Sequence, residues 1–383
     1  MASILLRNLA AVGIPYFILA ILVQRHGTFL ARVALLPVMY WATLHTFLSA
    51  GPSPEEKYDP TQGLMNQFFS YLMFGLSLRA TVWAFRERVY VRDDRFGMRQ
   101  GGVMKTMADS LDLLMNCRGV GWNWGWKPVL SEGPEQSRLR FVCLTTLRLF
   151  LAVFLIDCST AAATSFSATG FTVGHSIFDP SLPFVRRVLY AFVITALSGC
   201  SGFLGIDMAY QACALLGTTV GFQRPSQWPP LFNSPWRATS LGDFWGRRWH
   251  QILRQVFVRL GLQPINRILG EPWGFIGAFL VSAVVHDLGM RAQGKSGDIP
   301  SVYGFFVMNS VGVVLEKLWE RCTRKRVCGI QGWMWTMTWL VIWGTLLVDT
   351  WAQTGMLSAG TQEAQERRPS RMLAELYRHY LLG

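Results

Sequence analysis

The chain is organised around Ser240-Leu241-Gly242-Asp243-Phe244-Trp245-Gly246-Arg247-Arg248-Trp249-His250, which we call the central motif. A second stretch, Ser282-Ala283-Val284-Val285-His286-Asp287-Leu288, follows later. The first stretch is denser in arginine, tryptophan and histidine than a purely structural membrane segment has reason to be. The second stretch is apolar except for one His–Asp pair. Because an ionisable side chain is costly inside a membrane segment, such a pair marks a candidate functional site.

Composition places the chain among polytopic membrane proteins. Of its 383 residues 51% are hydrophobic, including 16 Trp and 25 Phe, which is too apolar for an ordinary soluble domain and enough for several membrane spans. The formal net charge is +13, but the basic residues lie mostly between apolar segments, as they do in cytoplasmic loops. The sequence has no basic stripe with base-stacking architecture, so we expect no nucleic-acid partner. The seven cysteines show no CxxC pair or ligand spacing, so we expect neither a disulfide framework nor a metal.

Apolar runs of about 20 residues, the length that crosses a bilayer, predict about eight membrane spans, within a range of seven to nine. The predicted fold class is therefore all-α, a polytopic transmembrane helical bundle. The run from Val188 to Phe222 contains Gly199, Gly202 and Gly205, and we expect these glycines to be able to break it into a helix and a re-entrant piece. The predicted spans are 8–23, 29–50, 64–85, 139–163, 188–216, 272–292, 302–320 and 332–352.

Loop charges predict the orientation through the positive-inside rule. Basic residues cluster after the third, fifth and seventh predicted spans, whereas the loop from Pro52 to Asp59 is acidic. The odd-numbered loops are therefore predicted to be cytoplasmic and both termini lumenal, although Arg186 and Arg187 fall on the opposite side. The clusters are Arg86, Arg88, Arg92, Arg95, Arg99 and Lys105; Arg224, Arg237, Arg247, Arg248, Arg254, Arg259 and Arg267; and Arg321, Arg324, Lys325 and Arg326.

Two further stretches are rich in tryptophan. Asn116-Cys117-Arg118-Gly119-Val120-Gly121-Trp122-Asn123-Trp124-Gly125-Trp126-Lys127 alternates glycine with tryptophan, which is typical of an aromatic belt at a membrane interface and also compatible with an entrance for substrate or cofactor. Trp228-Pro229-Pro230-Leu231-Phe232-Asn233-Ser234-Pro235-Trp236 is too rich in proline for a helix. We therefore expect an irregular surface or re-entrant segment that leads into the central motif.

The arginines of the central motif suit phosphate binding. A guanidinium binds phosphate oxygens through two parallel hydrogen bonds, as a phosphorylated cofactor from the cytosol would require. The alternative is that Arg247 and Arg248 pair with anionic lipid headgroups.

His286 is a candidate general base, because a neutral imidazole in an apolar segment can accept a proton from a substrate hydroxyl. The alternative is a core histidine bonded to a neighbouring helix. Asp287 points about 100° away from it on a helix, so we expect this carboxylate to meet a different helix.

These residues resemble the signature of the membrane-bound O-acyltransferases, and within that superfamily the wax-synthase-like branch. The resemblance rests on the run Phe244 to His250, with Ser240-Leu241 before it, and on the isolated His286 in a later hydrophobic helix. The run from Arg118 to Trp122 and the run from Trp228 to Trp236 are further similar to fungal members, many of which acetylate hydroxyls on terpenoids or other secondary metabolites. The resemblance extends from about Arg118 to the eighth predicted span.

The resemblance implies an MBOAT-like fold and a reaction. The reaction is acyl transfer, with acetyl-CoA favoured as the donor, to a hydroxyl of a lipophilic secondary metabolite such as a terpenoid or meroterpenoid. Acyl-CoA is then a co-substrate, and no bound cofactor is implied. His286 matches the intramembrane catalytic histidine that deprotonates the hydroxyl, and His250 matches a second polar position that would hydrogen-bond the thioester or oxyanion. Arg247, Arg248 and Trp249 would hold the CoA. Relatives often have glutamate where this chain has Asp287.

Other activities stay open on the sequence. The donor could be a long-chain acyl-CoA and the acceptor a wax alcohol or sterol. A transporter with a proton path through His286, Asp287, Asp207 and Glu316 and a non-catalytic scaffold are the remaining alternatives.

The predicted organisation is a single membrane-embedded domain over residues 1–360, with the catalytic motifs within 224–292, and a C-terminal tail over 361–383. The expected partners are a lipophilic alcohol, acyl-CoA and membrane lipid. We expect a multi-pass protein of the endoplasmic reticulum membrane.

Overall fold

The computed structural model describes residues 2–49, 60–93, 102–125, 136–171, 174–221, 223–291 and 297–357. Within these ranges the regular secondary structure is helical, apart from one isolated antiparallel bridge between Arg92 and Trp122, which confirms the all-α prediction. The α-helices are α1 (Ala2–Leu22), α2 (Phe29–Ser49), α3 (Pro60–Ala84), α4 (Val103–Met115), α5 (Arg138–Ser165), α6 (Phe184–Thr219), α7 (Leu241–Asp243), α8 (Arg254–Val256), α9 (Gln263–Leu269), α10 (Glu271–Arg291), α11 (Ile299–Thr323) and α12 (Gly329–Gln353). Phe244–Arg248 and Phe257–Leu262 are π-helical, and Pro225–Gln227 and Pro235–Arg237 are single 3-10 turns.

A helix lies at each of the eight predicted spans. Four of these helices, α5, α6, α10 and α11, are long and apolar enough to cross a membrane. Helices α1, α2 and α3 contain shorter apolar stretches, which are Ala10–Leu22, Phe29–His45 and Leu72–Ala84 respectively. The chain is therefore a membrane protein, while the count of about eight spans and the orientation stay predictions.

The break that Gly199, Gly202 and Gly205 could have introduced into the fifth span is not formed, because α6 runs unbroken for 36 residues through all three. A glycine inside a helix costs only about 1 kcal/mol. Leaving the helix inside a bilayer would expose backbone N–H and C=O groups at a cost of several kcal/mol each, so continuity is favoured. At about 1.5 Å per residue α6 is longer than the hydrocarbon core of a bilayer, which is about 30 Å thick.

The chain forms two compact units. One comprises Met1–Ser131 and Gln251–Ser296, and the other comprises Glu132–His250 and Gly297–Gly383. The first unit holds α1 to α4, α8 to α10 and the π-helical segment Phe257–Leu262; the second holds α5 to α7, α11, α12 and the segment Phe244–Arg248. The predicted single domain over 1–360 stays a prediction, and the tail 361–383 lies outside the described residues.

The glycine–tryptophan stretch after α4 is buried within the first unit. Trp122 is 6% exposed, and its indole N–H donates to the Asp112 carboxylate at 2.8 Å. Arg92 pairs with Asp109 at 3.0 Å and with Asp112 at 2.9 Å. Trp122 is therefore a buried core residue and does not belong to an aromatic belt, whereas the entrance stays a prediction. Arg92 lies in the loop before α4, as predicted, but its charge is buried in ion pairs. Trp126 and Lys127 lie outside the described residues.

Close packing within the first unit fixes α10, the helix that carries His286. A Cβ atom on Gly277 would lie 2.6 Å from the carbonyl oxygen of Gly261 and 2.7 Å from Cγ1 of Ile265. The π-helical segment Phe257–Leu262 and α10 thus approach so closely that only glycine fits at this crossing.

Candidate active site

The central motif begins at a fully capped helix start in the second unit. The Ser240 hydroxyl accepts the N–H of Asp243 at 3.0 Å, as an N-cap residue does. Glu316 of α11 accepts the backbone N–H groups of Leu241 at 2.5 Å and Gly242 at 2.9 Å. The indole N–H of Trp335 in α12 donates to the same carboxylate at 3.0 Å. The first N–H groups of α7, which have no partner inside the helix, are therefore satisfied by side chains.

Asp243 holds both arginines of the motif, but it holds them differently. Arg247 is 70% exposed and places Nη2 2.9 Å from Oδ1 of Asp243. Arg248 is 24% exposed and pairs through Nε with Oδ2 of Asp243. Its Nη1 also donates to the carbonyl oxygens of Asn233 at 3.1 Å and Ser234 at 3.4 Å. Arg248 is thus built into the protein, whereas Arg247 presents most of its guanidinium to the surroundings.

The proline-rich segment before the motif is irregular, as predicted, with the two 3-10 turns near its ends. Its backbone is tied to the motif, since the N–H of Asn233 donates to the carbonyl oxygen of Arg248 at 2.9 Å. The exchange is reciprocal, because the Arg248 side chain donates back to Asn233.

The motif then widens into a π-helical turn that collects aromatic rings. The N–H of Trp249 donates to the carbonyl oxygen of Phe244 at 2.8 Å, one residue beyond the α-helical pattern. The Trp245 indole N–H donates to Oδ1 of the buried Asn309 in α11 at 3.0 Å. The His250 ring lies 5.7 Å from the Trp249 ring and 6.0 Å, edge to face, from the Phe232 ring. Trp249 and His250 therefore sit partly buried in a rigid aromatic setting.

His286 lies in α10 of the first unit, and the surroundings of its Nδ1 indicate which ring nitrogen can act as a base. Its Nδ1 lies 2.8 Å from the carbonyl oxygen of Ser282, one turn earlier in the helix. Because a carbonyl oxygen can only accept, Nδ1 must carry the proton, and the lone pair of the neutral ring is then on Nε2. The arrangement gives the tautomer that a general base needs.

Asp287 does not meet a different helix as predicted. Its two carboxylate oxygens both accept from Nε of Arg291 at 3.0 Å, one turn further along α10. An i,i+4 partner of opposite charge was available on the same helix face, and the sequence reasoning had not considered it.

Sequence reasoning missed Glu316, Asn309 and Asp243 as supports of the motif. The sequence suggests Glu316 only as part of a proton path, yet its carboxylate accepts hydrogen bonds from three N–H groups and serves as a structural acceptor. The signal was available, since Asn309 and Glu316 are polar residues seven positions apart, on one face of an apolar helix.

The structure brings Arg247, Arg248, Trp249 and His250 together in the second unit and places His286 in the first unit. Among the described residues no group of three or more His, Cys, Asp or Glu side chains could hold a metal ion.

Residues 228–308 match the model of the membrane bound O-acyl transferase family. The matched segment includes the motif from Ser240 to His250 and also His286. The matched segment thus contains all the residues that the sequence predicted for the site.

Three proteins to which the chain is similar are named as transferases. The chain is 25% identical over 234 residues to an O-mevalon transferase from Aspergillus niger, covering 54% of this chain and 51% of the relative. It is 26% identical over 305 residues to an acetyltransferase from Rhodocybe pseudopiperita, covering 74% of each. It is 30% identical over 151 residues to a long-chain-alcohol O-fatty-acyltransferase from Simmondsia chinensis, covering 37% of this chain and 42% of the relative. The chain thus spans about half the length of the first relative and less of the third.

Proposed function

We propose that this protein is an acyl-CoA-dependent O-acyltransferase that moves an acetyl group from acetyl-CoA to a hydroxyl of a lipophilic secondary metabolite, a terpenoid or meroterpenoid. The observation that carries the proposal is the 2.8 Å distance between Nδ1 of His286 and the Ser282 carbonyl oxygen, from which we infer that Nε2 carries the lone pair. The family match over residues 228–308 and the named acetyltransferases among the relatives support the same reaction. The acceptor enters from the lipid phase and the CoA from water, which suits a multi-pass protein of the endoplasmic reticulum membrane.

His286 is the proposed general base. Its Nε2 takes the proton of the acceptor hydroxyl while the hydroxyl oxygen attacks the thioester carbonyl carbon. The C–S bond then breaks and CoA leaves as the thiolate, which takes the proton from Nε2 and so becomes the thiol, leaving the imidazole neutral again. The ester forms without a covalent enzyme intermediate.

His250 and the motif arginines serve the thioester side of the same reaction. His250 donates a hydrogen bond to the oxyanion that develops on the thioester carbonyl. Arg247 binds CoA phosphate through its exposed guanidinium, Arg248 supports it through the shared Asp243, and Trp249 packs against the CoA.

Acetyl transfer by membranes that express this chain tests the proposal. Labelled acetyl-CoA is supplied with a panel of terpenoid alcohols, fatty alcohols and sterols, and His286→Asn is compared with the wild type. The asparagine amide N–H can replace Nδ1–H towards Ser282, but the variant has no base at the Nε2 position. We expect kcat to fall by at least about 100-fold. His26→Asn, at an exposed histidine outside the motif, is the control. Wild-type rates in His286→Asn would show the assignment to be wrong.

The two histidines can be tested for action on one step. If His250 and His286 both act on the transfer, the double variant should lose little more than the worse single variant, since groups that act as a unit are strongly non-additive. Losses that multiply would contradict a shared step. Competition between acetyl-CoA and palmitoyl-CoA decides the acyl length, and a preference for palmitoyl-CoA would favour wax or sterol ester synthesis.

A further inference from the structure

One face of α11 carries the whole start of the central motif. Asn309, Gly312 and Glu316 follow at spacings of three and four residues, so they line one side of the helix. Asn309 is fully buried and holds the Trp245 indole at 3.0 Å. A Cβ atom on Gly312 would meet the Leu241 side chain and lie 2.8 Å from ring atoms of Trp339. The motif is therefore pressed against α11 where only glycine leaves room.

Glu316 is the charged member of this face, and its contacts are all of one kind. It accepts from two consecutive backbone N–H groups, one on each carboxylate oxygen, and from the Trp335 indole. Three donors converge on one side chain that has acceptors only, which suits a carboxylate and no neutral side chain.

What Glu316 fixes is the direction of the residues that follow. Asp243 directly follows Leu241 and Gly242, whose N–H groups Glu316 accepts. Asp243 in turn orients Arg247, because its Oδ1 lies 2.9 Å from Nη2 of Arg247. The Trp249 N–H closes the same turn onto Phe244. A shift at Leu241 and Gly242 is therefore passed through Asp243 to the exposed guanidinium of Arg247.

We propose that Glu316 is a positioning residue for acyl-CoA, which it does not touch, because it fixes the start of the motif and thereby the placement of Arg247 and Trp249. The inference rests on the proposed function. Loss of Glu316 should weaken acyl-CoA binding and leave the KM for the alcohol unchanged.

Glu316→Gln and Trp335→Phe test this in the full-length protein. Glutamine keeps one acceptor oxygen and loses one of the two backbone hydrogen bonds, so the KM for acyl-CoA should rise about tenfold. Trp335→Phe removes only the indole donor and should raise that KM less. Glu320→Gln is the matched control, since Glu320 lies one turn further along α11 and pairs instead with Arg326 at 2.8 Å. The control should leave both KM values unchanged.

Tryptic cleavage after Arg247 and Arg248 gives a second readout that needs no substrate. Glu316→Gln should be cleaved there several times faster than the wild type and than Glu320→Gln, because the motif start is less firmly held. Unchanged cleavage, or a loss of folded enzyme with both KM values unchanged, would overturn the inference. Faster cleavage together with no acyl transfer by the wild type would overturn the proposed function and the role towards acyl-CoA, and would leave the support of the motif by Glu316 standing.

Discussion

Two adjacent arginines should respond in opposite ways to truncation. Arg248 makes a charge-assisted pair with Asp243 and donates to two carbonyl oxygens, and its side chain is only 24% exposed. A hydrogen bond to a charged group is worth about 1.5–3 kcal/mol and a neutral one about 1 kcal/mol. Arg248→Ala should therefore lower the free energy of unfolding by about 3 kcal/mol. Arg247 is 70% exposed with one i,i+4 pair, so Arg247→Ala should lower it by less than about 0.5 kcal/mol.

The effect on acetyl-CoA binding should be seen in Arg247→Ala, the variant whose stability is nearly unchanged. Arg247→Ala should raise the KM for acetyl-CoA about tenfold, because it removes a charge-assisted phosphate contact, and should leave the melting temperature unchanged. Melting is followed by tryptophan fluorescence in detergent, and KM by transfer of labelled acetyl. Arg254→Ala, which removes an exposed positive charge outside the motif, is the control for net charge. Equal melting temperatures for Arg247→Ala and Arg248→Ala would refute the reasoning, as would a larger drop in Arg247→Ala.

Three further predictions concern the packing that supports the site. Gly312→Ala should cost about 1–3 kcal/mol by overpacking against Trp339, and should raise the KM for acyl-CoA, both measured as above; an unchanged melting temperature would contradict it. Ser240→Ala should cost about 1 kcal/mol through loss of the N-cap, whereas Ser240→Asp should restore most of it. Asp112→Ala should destabilise the first unit by about 3–5 kcal/mol, because Arg92 is left buried with one of its two carboxylates; full stability of this variant in thermal melting would show the ion-pair network to be unimportant.

Hydropathy predicted where the helices lie, because about 20 apolar residues in a row leave few alternatives in a bilayer. Hydropathy left open whether the glycines break α6, because a local pattern does not weigh the small cost of a helical glycine against the larger cost of exposing the backbone. The ion pairs of Arg92 could not be predicted in this way, since its two carboxylate partners lie in α4, a helix of 13 residues that is too short to be found as a span.

The sequence proposes site residues by their type and position, but it does not reveal which residues support them. Glu316 and Asn309 meet the motif only because α11 packs against it, and that packing is set by tertiary contacts rather than by a local pattern. The sequence also could not predict that Arg247 is exposed and Arg248 mostly buried. The two residues are of the same type and adjacent, and only the direction that the turn gives each side chain sets its exposure. The proton on Nδ1 of His286 likewise depends on a backbone oxygen that residue identities do not reveal.

The π-helical turn from Phe244 to Arg248 makes the length of the motif as important as its residues. One extra residue per turn is accommodated there, since Trp249 bonds back to Phe244 rather than to Trp245. Deleting a single residue between Asp243 and His250 would let the turn relax to an ordinary α-helix, and would rotate every side chain beyond it by about 100°. A substitution in this segment can therefore lower activity by a small or a large amount, whereas the deletion of a single residue abolishes the arrangement of the side chains. A deletion scan with length-restoring insertions would measure that difference directly.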